Sequence, residues 1–267
     1  MHESLLIAMN NLTTLWKYRE MLWFILQREV KVRYKQAFFG VAWSIITPVT
    51  QALIFFFLFG RVFRITSEEI PYLLLVFSGF TFWNFLANSI STATFSLTSN
   101  SALVTKVAFP KEILVIGTVL GRIPDLLGSV FVLALLLVIY QIPVSIHLLW
   151  ILPLFIVEII LALGVGLLFA NINVYFRDVN ALVPLLLMAW LFLTPVVYPL
   201  ASLPENIRLY AILNPMTGIL EGIRNVLFLQ KPPDFLSSTV SEVITLLVFG
   251  FSYSLFKKLE KGFADII

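Results

Sequence analysis

Charge is scarce in this sequence. Only 12% of the 267 residues are Asp, Glu, Lys or Arg, whereas 60% are hydrophobic. A soluble domain of ordinary composition has about 25% charged residues, which cover its surface with solvated groups. A chain with half that share cannot cover a globule of this length, so a soluble enzyme and a disordered tail are both excluded. The composition indicates a protein that crosses a membrane several times.

Residue patterns for catalysis, metal binding and nucleotide binding are missing as well. The chain has no cysteine, which excludes disulfides, thiolate metal ligands and thiol nucleophiles. Its two histidines, His2 and His147, are too few and too far apart for a zinc or di-iron site. The motifs GxxxxGKS/T, HExxH and GxSxG do not occur. We therefore expect no catalytic residue, metal or cofactor in this chain, and the net charge of +3 does not indicate nucleic-acid binding.

Six apolar runs approach the length of about 20 residues that a helix needs to cross the hydrocarbon core of a bilayer. They cover residues 37–59, 72–95, 113–140, 148–171, 179–198 and 243–256. The sixth run is long enough only if it begins near Ser237 and includes Glu242. The sequence therefore predicts an all-α integral membrane protein with six transmembrane helices.

A seventh apolar run, residues 209–229, is unsuited to a full span. It contains Asn214-Pro215, Glu221 and Arg224; charged residues are costly in lipid, and proline breaks a helix. We expect two short re-entrant helices here, which enter the membrane part-way from the outer side. Such backbone is tolerated where protein surrounds it or water reaches it.

The basic residues indicate how the spans are oriented, because short cytoplasmic loops are enriched in Lys and Arg. With the N-terminus in the cytoplasm, twelve of the 18 Lys and Arg residues fall inside and five fall outside. The inner group is Lys17, Arg19, Arg28, Lys31, Arg33, Lys35, Lys106, Lys111, Arg177, Lys257, Lys258 and Lys261; the outer group is Arg61, Arg64, Arg208, Arg224 and Lys231. We expect both termini in the cytoplasm and three segments: an N-terminal segment 1–36, a membrane domain 37–258 and a tail 259–267.

Residues 15–35 combine six basic side chains with tryptophans and aliphatic residues. This pattern predicts an amphipathic helix that lies among the lipid headgroups of the cytoplasmic leaflet. Glu29 and Arg33, four residues apart, are expected to pair. The helix anchors the chain and fixes its topology, binds a lipid phosphate through its basic face, or contacts a partner protein. The candidate phosphate ligands are Arg28, Lys31, Arg33 and Lys35.

Three charged residues lie clearly within the predicted spans. Arg122 and Asp125 are three residues apart, so they can neutralise each other on one face of a helix. Glu158 has no obvious partner nearby in the sequence. We favour a role for all three in holding helices together; the alternatives are a hydrated path and ion coupling.

Several short motifs, in this order along the chain, resemble the permease subunits of type 2 ATP-binding-cassette exporters. Within that superfamily they resemble the branch that exports lipid-linked polysaccharides, namely O-antigen, capsule and teichoic acid. The similarity extends from about Trp16 to Lys258. The motifs are KVAFPKE at 106–112, NVYFRDV at 173–179, TPVVYP at 194–199, LNPM at 213–216 and EGIR at 221–224.

The resemblance implies a function and a set of partners. It implies a homodimer of six-span subunits in the bacterial inner membrane, with two copies of a separate cytoplasmic ATPase that binds ATP and magnesium. The complex would move an undecaprenyl-linked glycan from the cytoplasm to the outer face of the membrane. The cytoplasmic loop 98–111 would then form a coupling helix that docks onto the ATPase. The coupling residues would be Asn100, Leu103, Val104 and Lys106.

The boundaries of the fifth predicted span carry further expectations. Asp178 is placed to cap the start of this helix, and Arg177 is placed to contact headgroups or to take part in coupling to the ATPase. Pro195 and Pro199 are expected to end the span near the outer surface.

The resemblance also assigns an exit gate and a route for the glycan. The short outer helices would seal the exit, with Asn214, Pro215, Glu221 and Arg224 as gate residues. Because aromatic rings stack on sugars, we expect some aromatic residues of spans one and five to contact the glycan. The chain contains 25 Phe, and most of these are expected to face lipid or pack between helices. The candidates are Phe55, Phe56, Phe59, Trp190, Phe192 and Tyr198.

Three alternative functions compete with polysaccharide export. A type 2 permease for a small lipid or drug would share the fold. A membrane-embedded enzyme that modifies lipid carriers is opposed by the missing catalytic groups. An ion-coupled carrier is opposed by the single unpaired Glu158 and by the lack of an inverted repeat.

Overall fold

The computed structural model describes residues 16–35, 40–62 and 70–267, and all regular structure in these ranges is helical. The start of the first predicted span (residues 37–39) and Arg64 lie outside them. The α-helices are α1 Arg19–Tyr34, α2 Trp43–Phe55, α3 Tyr72–Phe95, α4 Ser101–Lys106, α5 Glu112–Leu120, α6 Ile123–Ile139, α7 Ile151–Tyr175, α8 Val179–Leu193, α9 Glu205–Ile212, α10 Pro215–Arg224, α11 Phe235–Leu259 and α12 Phe263–Ile266. Helices α2 and α10 continue into π-helical turns, Phe56–Val62 and Asn225–Leu229.

Five helical stretches in the described ranges are long and apolar enough to cross a membrane. They are Trp43–Gly60, Tyr72–Phe95, Glu112–Ile139, Ile146–Tyr175 and Phe235–Ile266. Each overlaps a span that the sequence predicts. The last stretch takes in Ser237 and Glu242, the extension that the sixth predicted span requires.

The fifth predicted span, 179–198, is too long. Helix α8 ends at Leu193 and has only 15 residues, fewer than the about 20 that a perpendicular crossing needs. Thr194 has extended backbone (φ −104°, ψ 138°), which is the conformation favoured in front of a proline such as Pro195. The predicted cap is also wrong, since Asp178 precedes α8 but its side chain makes no capping hydrogen bond.

The third predicted span is interrupted. A turn at Gly121-Arg122 separates α5 from α6. In a continuous helix the carbonyl of Gly121 would accept from the amide of Asp125, but that amide donates instead to the carbonyl of Arg122 at 3.1 Å. The break therefore frees the carbonyl oxygen of Gly121, next to the charged residues Arg122 and Asp125 in the chain.

Helix α3 lies at the centre of the bundle and is the most buried of the five long stretches. It packs on α2, α5, α6 and α7, and α7 packs in turn on α11. Gly164 of α7 allows this close packing, because a Cβ at that position would lie 2.9 Å from the Cα of Phe249. Small residues commonly permit such approaches between membrane helices.

Helix α1 packs on the outside of the bundle against α5. Ile25 is the buried residue of this contact, with 1% of its surface exposed. A Cβ on Gly117 would lie 2.6 Å from the Cγ2 atom of Ile25, so this contact requires glycine. Helix α1 is thus attached to the third predicted span by a specific side-chain contact.

Candidate functional site

A polar cavity of about 330 Å³ lies between α1, α2, α3 and α6. Its lining combines two guanidinium groups, one carboxylate, amides, hydroxyls and aromatic rings. Those polar and aromatic groups come from Arg33, Tyr34, Trp43, Ser44, Thr47, Thr81, Asn84, Phe85, Asn88, Arg122, Asp125 and Ser129. The cavity is the place where residues of the N-terminal helix meet charged residues of the third span.

Asp125 is the centre of the charged groups in this cavity. Its Oδ2 accepts from Arg33 at 2.6 Å and from Arg122 at 3.3 Å, and its Oδ1 accepts from the Tyr34 hydroxyl. Arg33 also donates to the freed carbonyl of Gly121 at 2.9 Å. Two guanidinium groups share one carboxylate, so the cluster carries one positive charge that no carboxylate in it neutralises.

The Tyr34 hydroxyl stays protonated in this setting. Burial, together with the hydrogen bond to Asp125 and the charge of its carboxylate, raises the pKa of Tyr34 to about 12. The hydroxyl therefore donates to the carboxylate at every physiological pH.

The predicted pair of Glu29 and Arg33 does not form. Glu29 accepts instead from its neighbour Arg28 at 3.1 Å, while Arg33 turns to Asp125. The expected spacing is present on the helix, but the partly buried carboxylate of Asp125, from another helix, competes successfully for Arg33. Of the four candidate phosphate ligands, only Arg33 lines the cavity; Lys31 and Lys35 are exposed on α1, and Arg28 is partly buried.

The remaining lining supplies neutral hydrogen-bonding groups. The amide of Asn84 donates to Oε1 of Gln51 at 2.7 Å, and the hydroxyl of Ser129 donates to the carbonyl of Ser44 at 2.9 Å. Asn88 lies one helical turn beyond Asn84 on α3 and also lines the cavity. A site with a net positive charge, amides, hydroxyls and aromatic faces is suited to a phosphorylated, hydroxyl-rich ligand.

A second cavity, of about 590 Å³ and mainly apolar, lies at the C-terminal end of α8. Its lining includes Trp190, Phe192, Tyr198, Asn214 and Pro215, which the sequence assigned to two different roles. The structure therefore brings three of the glycan candidates together with two of the gate candidates.

Asn214 holds this region together through its side chain. Its Oδ1 accepts from the Trp190 ring nitrogen at 3.0 Å and from the Met216 amide at 3.1 Å, which caps α10. Its Nδ2 donates to the Thr194 hydroxyl at 2.8 Å. Asn214 thus joins the end of α8 to the start of α10.

Arg224 is buried, with 2% of its surface exposed. It pairs with Glu221 at 2.8 Å, as their spacing predicts. It also donates to the carbonyls of Leu75 and Val196, at 3.2 and 2.9 Å. The side chain therefore links α10 to α3 and to the segment after α8.

A family model for the ABC-2 type transporter matches residues 20–228, which is more than half of the chain. The chain belongs to the ABC-2 type transporter family. The resemblance to permeases of type 2 exporters is confirmed. Together with the five apolar helices, it makes this permease a multi-pass membrane protein.

Relatives of this ABC-2 permease match it over nearly their whole length. The O-antigen export system permease protein RfbA of Klebsiella pneumoniae is 27% identical over 250 residues, covering 93% of this chain and 95% of the relative. RfbA of Myxococcus xanthus is 27% identical over 255 residues, covering 95% and 97%. The polysialic acid transport protein KpsM of Escherichia coli is 23% identical over 245 residues, covering 88% and 92%.

The remaining glycan candidates of the permease lie apart from both cavities. Phe55 stacks on Phe59, with ring centroids 5.6 Å apart, and packs on Phe80 of α3 at 5.1 Å. Phe56 stacks on Tyr72 at 6.4 Å. All three rings pack on other aromatic rings between α2 and α3, so a role in glycan contact stays a prediction for them.

The predicted coupling loop contains the short helix α4. Val104 is buried and Leu103 partly so, whereas Lys106 is exposed. Asn100 donates to the carbonyl of Ser96 at 2.8 Å, which fixes the end of α3. Arg177 is exposed in the short connection between α7 and α8.

Glu158 is fully buried in α7, and neither of its carboxylate oxygens has a hydrogen-bond partner within the described ranges. Glu158 does not line the polar cavity, whereas Arg122 and Asp125, the other two charged residues of the predicted spans, do. Its role in packing the bundle stays a prediction.

Sequence reasoning missed several polar residues of the first cavity, among them Tyr34, Asn84 and Asn88. A signal for two of them was available. Asn84 and Asn88 are four residues apart in an otherwise apolar span, which places both amides on one helix face.

Proposed function

We propose that this chain is the membrane subunit of an ATP-driven exporter of an undecaprenyl-linked polysaccharide. Two copies of the permease, each with a cytoplasmic ABC ATPase, would move the glycan from the cytoplasm to the outer face of the bacterial inner membrane. The chain would cross the membrane six times, with α8 as the short fifth span and both termini in the cytoplasm. Matches over almost the full length of three polysaccharide-export relatives support this assignment.

The observation that carries the proposal is the polar cavity at Asp125. In the proposed topology it lies near the cytoplasmic side, where a lipid-linked glycan first meets the permease. Its single excess positive charge, from Arg33 and Arg122 against Asp125, suits a phosphate. The amides and aromatic rings around it suit the first sugars, and the exposed Lys31 and Lys35 would attract the headgroup from the membrane surface.

At the outer side, the proposed exit is the region held by Asn214 and Arg224. Helices α9 and α10 would enter the membrane part-way and return, which closes the path when no glycan passes. The apolar cavity beneath them offers Trp190, Phe192 and Tyr198 to a passing sugar chain.

The experiment neutralises the three candidate phosphate ligands that lie outside the Asp125 cluster. The triple variant Arg28→Gln, Lys31→Gln, Lys35→Gln is expressed in cells deleted for their own copy of the gene, and surface glycan is measured by antibody staining. Because all three side chains lie outside the Asp125 cluster, membrane insertion should be normal while surface glycan falls at least tenfold. The control is Lys17→Gln, Arg19→Gln, which removes two positive charges at and just before the other end of α1.

Normal surface glycan in the triple variant would overturn the role of the headgroup ligands. If the gene deletion itself left surface glycan unchanged but altered the export of a small lipid or drug, the polysaccharide assignment would be wrong.

A further inference from the structure

The segment that follows α8, residues 194–199, is seated on the N-terminal half of α3. The hydroxyl of Tyr72, the first residue of α3, donates to the carbonyl of Val197 at 2.8 Å. Two turns further along α3, a Cβ on Gly79 would collide with the carbonyl oxygen of Val196, so this approach requires glycine. Both valines are buried. Two neighbouring residues of the segment are therefore held against the central helix of the bundle.

The carbonyl groups of this segment depend on side chains from other elements. The segment lies between helices, and a buried carbonyl without a partner costs as much free energy as a lost hydrogen bond. The carbonyl of Val196 accepts from Arg224 of α10 at 2.9 Å, and that of Val197 accepts from Tyr72. Asn214 holds the start of the segment through its first hydroxyl. The position of the segment is therefore imposed by α3 and by the start and end of α10.

The ring of Tyr72 is itself held by the end of the first span. Phe56 stacks on it with ring centroids 6.4 Å apart, and a Cβ on Gly60 would lie 3.0 Å from its Cδ1 atom. Both residues belong to the π-helical turn Phe56–Val62, and such turns are frequent at functional sites. Tyr72 therefore connects the end of α2 with the segment that follows α8.

We propose that Tyr72 is a positioning residue of the exit gate, whose hydroxyl holds the segment 194–199 on α3 while the gate is closed. Gly79 provides the room for this close approach. The inference rests on the proposed function, which supplies the exit. The gate residues that the sequence assigned all follow this segment in the chain, so Tyr72 and Gly79 add the central helix to the gate.

Removal of the Tyr72 hydroxyl affects the closed gate in a calculable way. The carbonyl of Val197 loses its donor in a buried position, so the seated arrangement of the segment becomes less favourable relative to a displaced one. One net hydrogen bond changes such an equilibrium about fivefold. A gate that is displaced five times as often should admit small ions in proportion, because the segment no longer seals the path.

The test measures the ion leak of Tyr72→Phe, which keeps the ring and its stacking but removes the hydroxyl. The full chain is reconstituted in liposomes with the ABC ATPase that co-purifies with it, without ATP, and iodide entry is followed by quenching of a trapped fluorescent dye. We expect entry about fivefold faster than with the wild type. Tyr140→Phe is the matched control and should not change the rate, because Tyr140 lies at the end of α6, away from the segment.

A second comparison separates gate positioning from a general loss of stability. Asn173 of α7 donates to the carbonyl of Thr94 at 3.0 Å and to the hydroxyl of Thr98 at 3.1 Å, at the other end of α3. Asn173→Ala removes both hydrogen bonds, so it should lower the melting temperature at least as much as Tyr72→Phe does. Because it leaves the segment 194–199 in place, it should not increase the ion leak.

A leak that rises with Tyr72→Phe and not with Asn173→Ala supports the inference. A wild-type leak rate in Tyr72→Phe would refute it, since the hydrogen bond would then serve stability alone. An equal leak in both variants would refute it as well, because loss of stability would explain the leak. The proposed function is tested separately by surface glycan in cells without the gene, so polysaccharide export can fail or stand whatever the leak of Tyr72→Phe.

Discussion

Removal of the negative charge of Asp125 is expected to destabilise the permease strongly. Asp125→Asn keeps the size of the side chain but leaves Arg33 and Arg122 together without their shared carboxylate. Each of these two charge-assisted hydrogen bonds is worth about 1.5–3 kcal/mol. Loss of one partner from a fully buried ion pair costs about 3–5 kcal/mol, but these side chains keep 17–20% of their surface exposed. We therefore expect a loss of about 3 kcal/mol.

The measurement is the melting temperature of the purified protein in lipid nanodiscs. A loss of about 3 kcal/mol corresponds to a fall of roughly 6–12 °C by the scaling for soluble domains of 150–250 residues. The control is Asp178→Asn, since Asp178 is exposed and its side chain makes no capping bond. A second variant, Asp125→Asn with Arg33→Gln, removes one of the two repelling charges and should recover part of the loss.

The reasoning would be refuted by a variant that melts within 1 °C of the wild type.

Two further predictions follow from glycine packing and from the cap of α10. Gly117→Val should separate α1 from α5 at a cost of about 1–3 kcal/mol. The separation is measured as faster reaction of a reporter, Leu22→Cys, with maleimide, since the chain has no native cysteine. Gly250→Val is the control and should leave the rate unchanged, because a Cβ at Gly250 meets nothing within 4 Å. Asn214→Ala should lower the free energy of unfolding by about 2–3 kcal/mol, because it removes a cap and leaves the Trp190 ring nitrogen unpaired. Asn214→Asp keeps the acceptor and should lose less; equal melting temperatures for these two variants would contradict this account.

The positions of the long helices were predictable because the bilayer imposes its own length scale. Runs of apolar residues must reach about 20 residues, and that requirement locates the five long helices from composition alone. The spacing of Glu221 and Arg224 was also informative, since an i,i+3 contact depends only on the helix itself.

The interior of the first cavity was not predictable in the same way. Arg33 has two acidic candidates, a near one four residues away and a distant one 92 residues away, and it binds the distant one. Local spacing cannot decide between them, because the choice depends on how α1 packs on α5. The break at Gly121-Arg122 has a local cause, because Pro124 stands in the first turn of α6 and has no amide hydrogen with which to continue the helix from α5. The hydrogen bond from Arg33 to the Gly121 carbonyl, by contrast, depends on how α1 packs.

The C-terminal segment illustrates the same limit. Phe263 stands in the short segment 260–267, in which three of eight residues are charged, and the sequence alone indicated only a cytoplasmic tail. Its burial depends on Tyr175 and Phe256, which come from two different helices. A pocket formed by residues that far apart in the chain appears only once the bundle is assembled.

The break in the third span has a consequence for how α1 and the bundle can move together. Helix α1 touches the span on both sides of the break, through Ile25 on Gly117 before it and through Arg33 on Asp125 after it. Helix α1 therefore bridges the break between α5 and α6. A change in the angle between α5 and α6 must therefore move α1 or strain one of these two contacts. A ligand or partner protein that binds α1 can therefore affect the angle between α5 and α6.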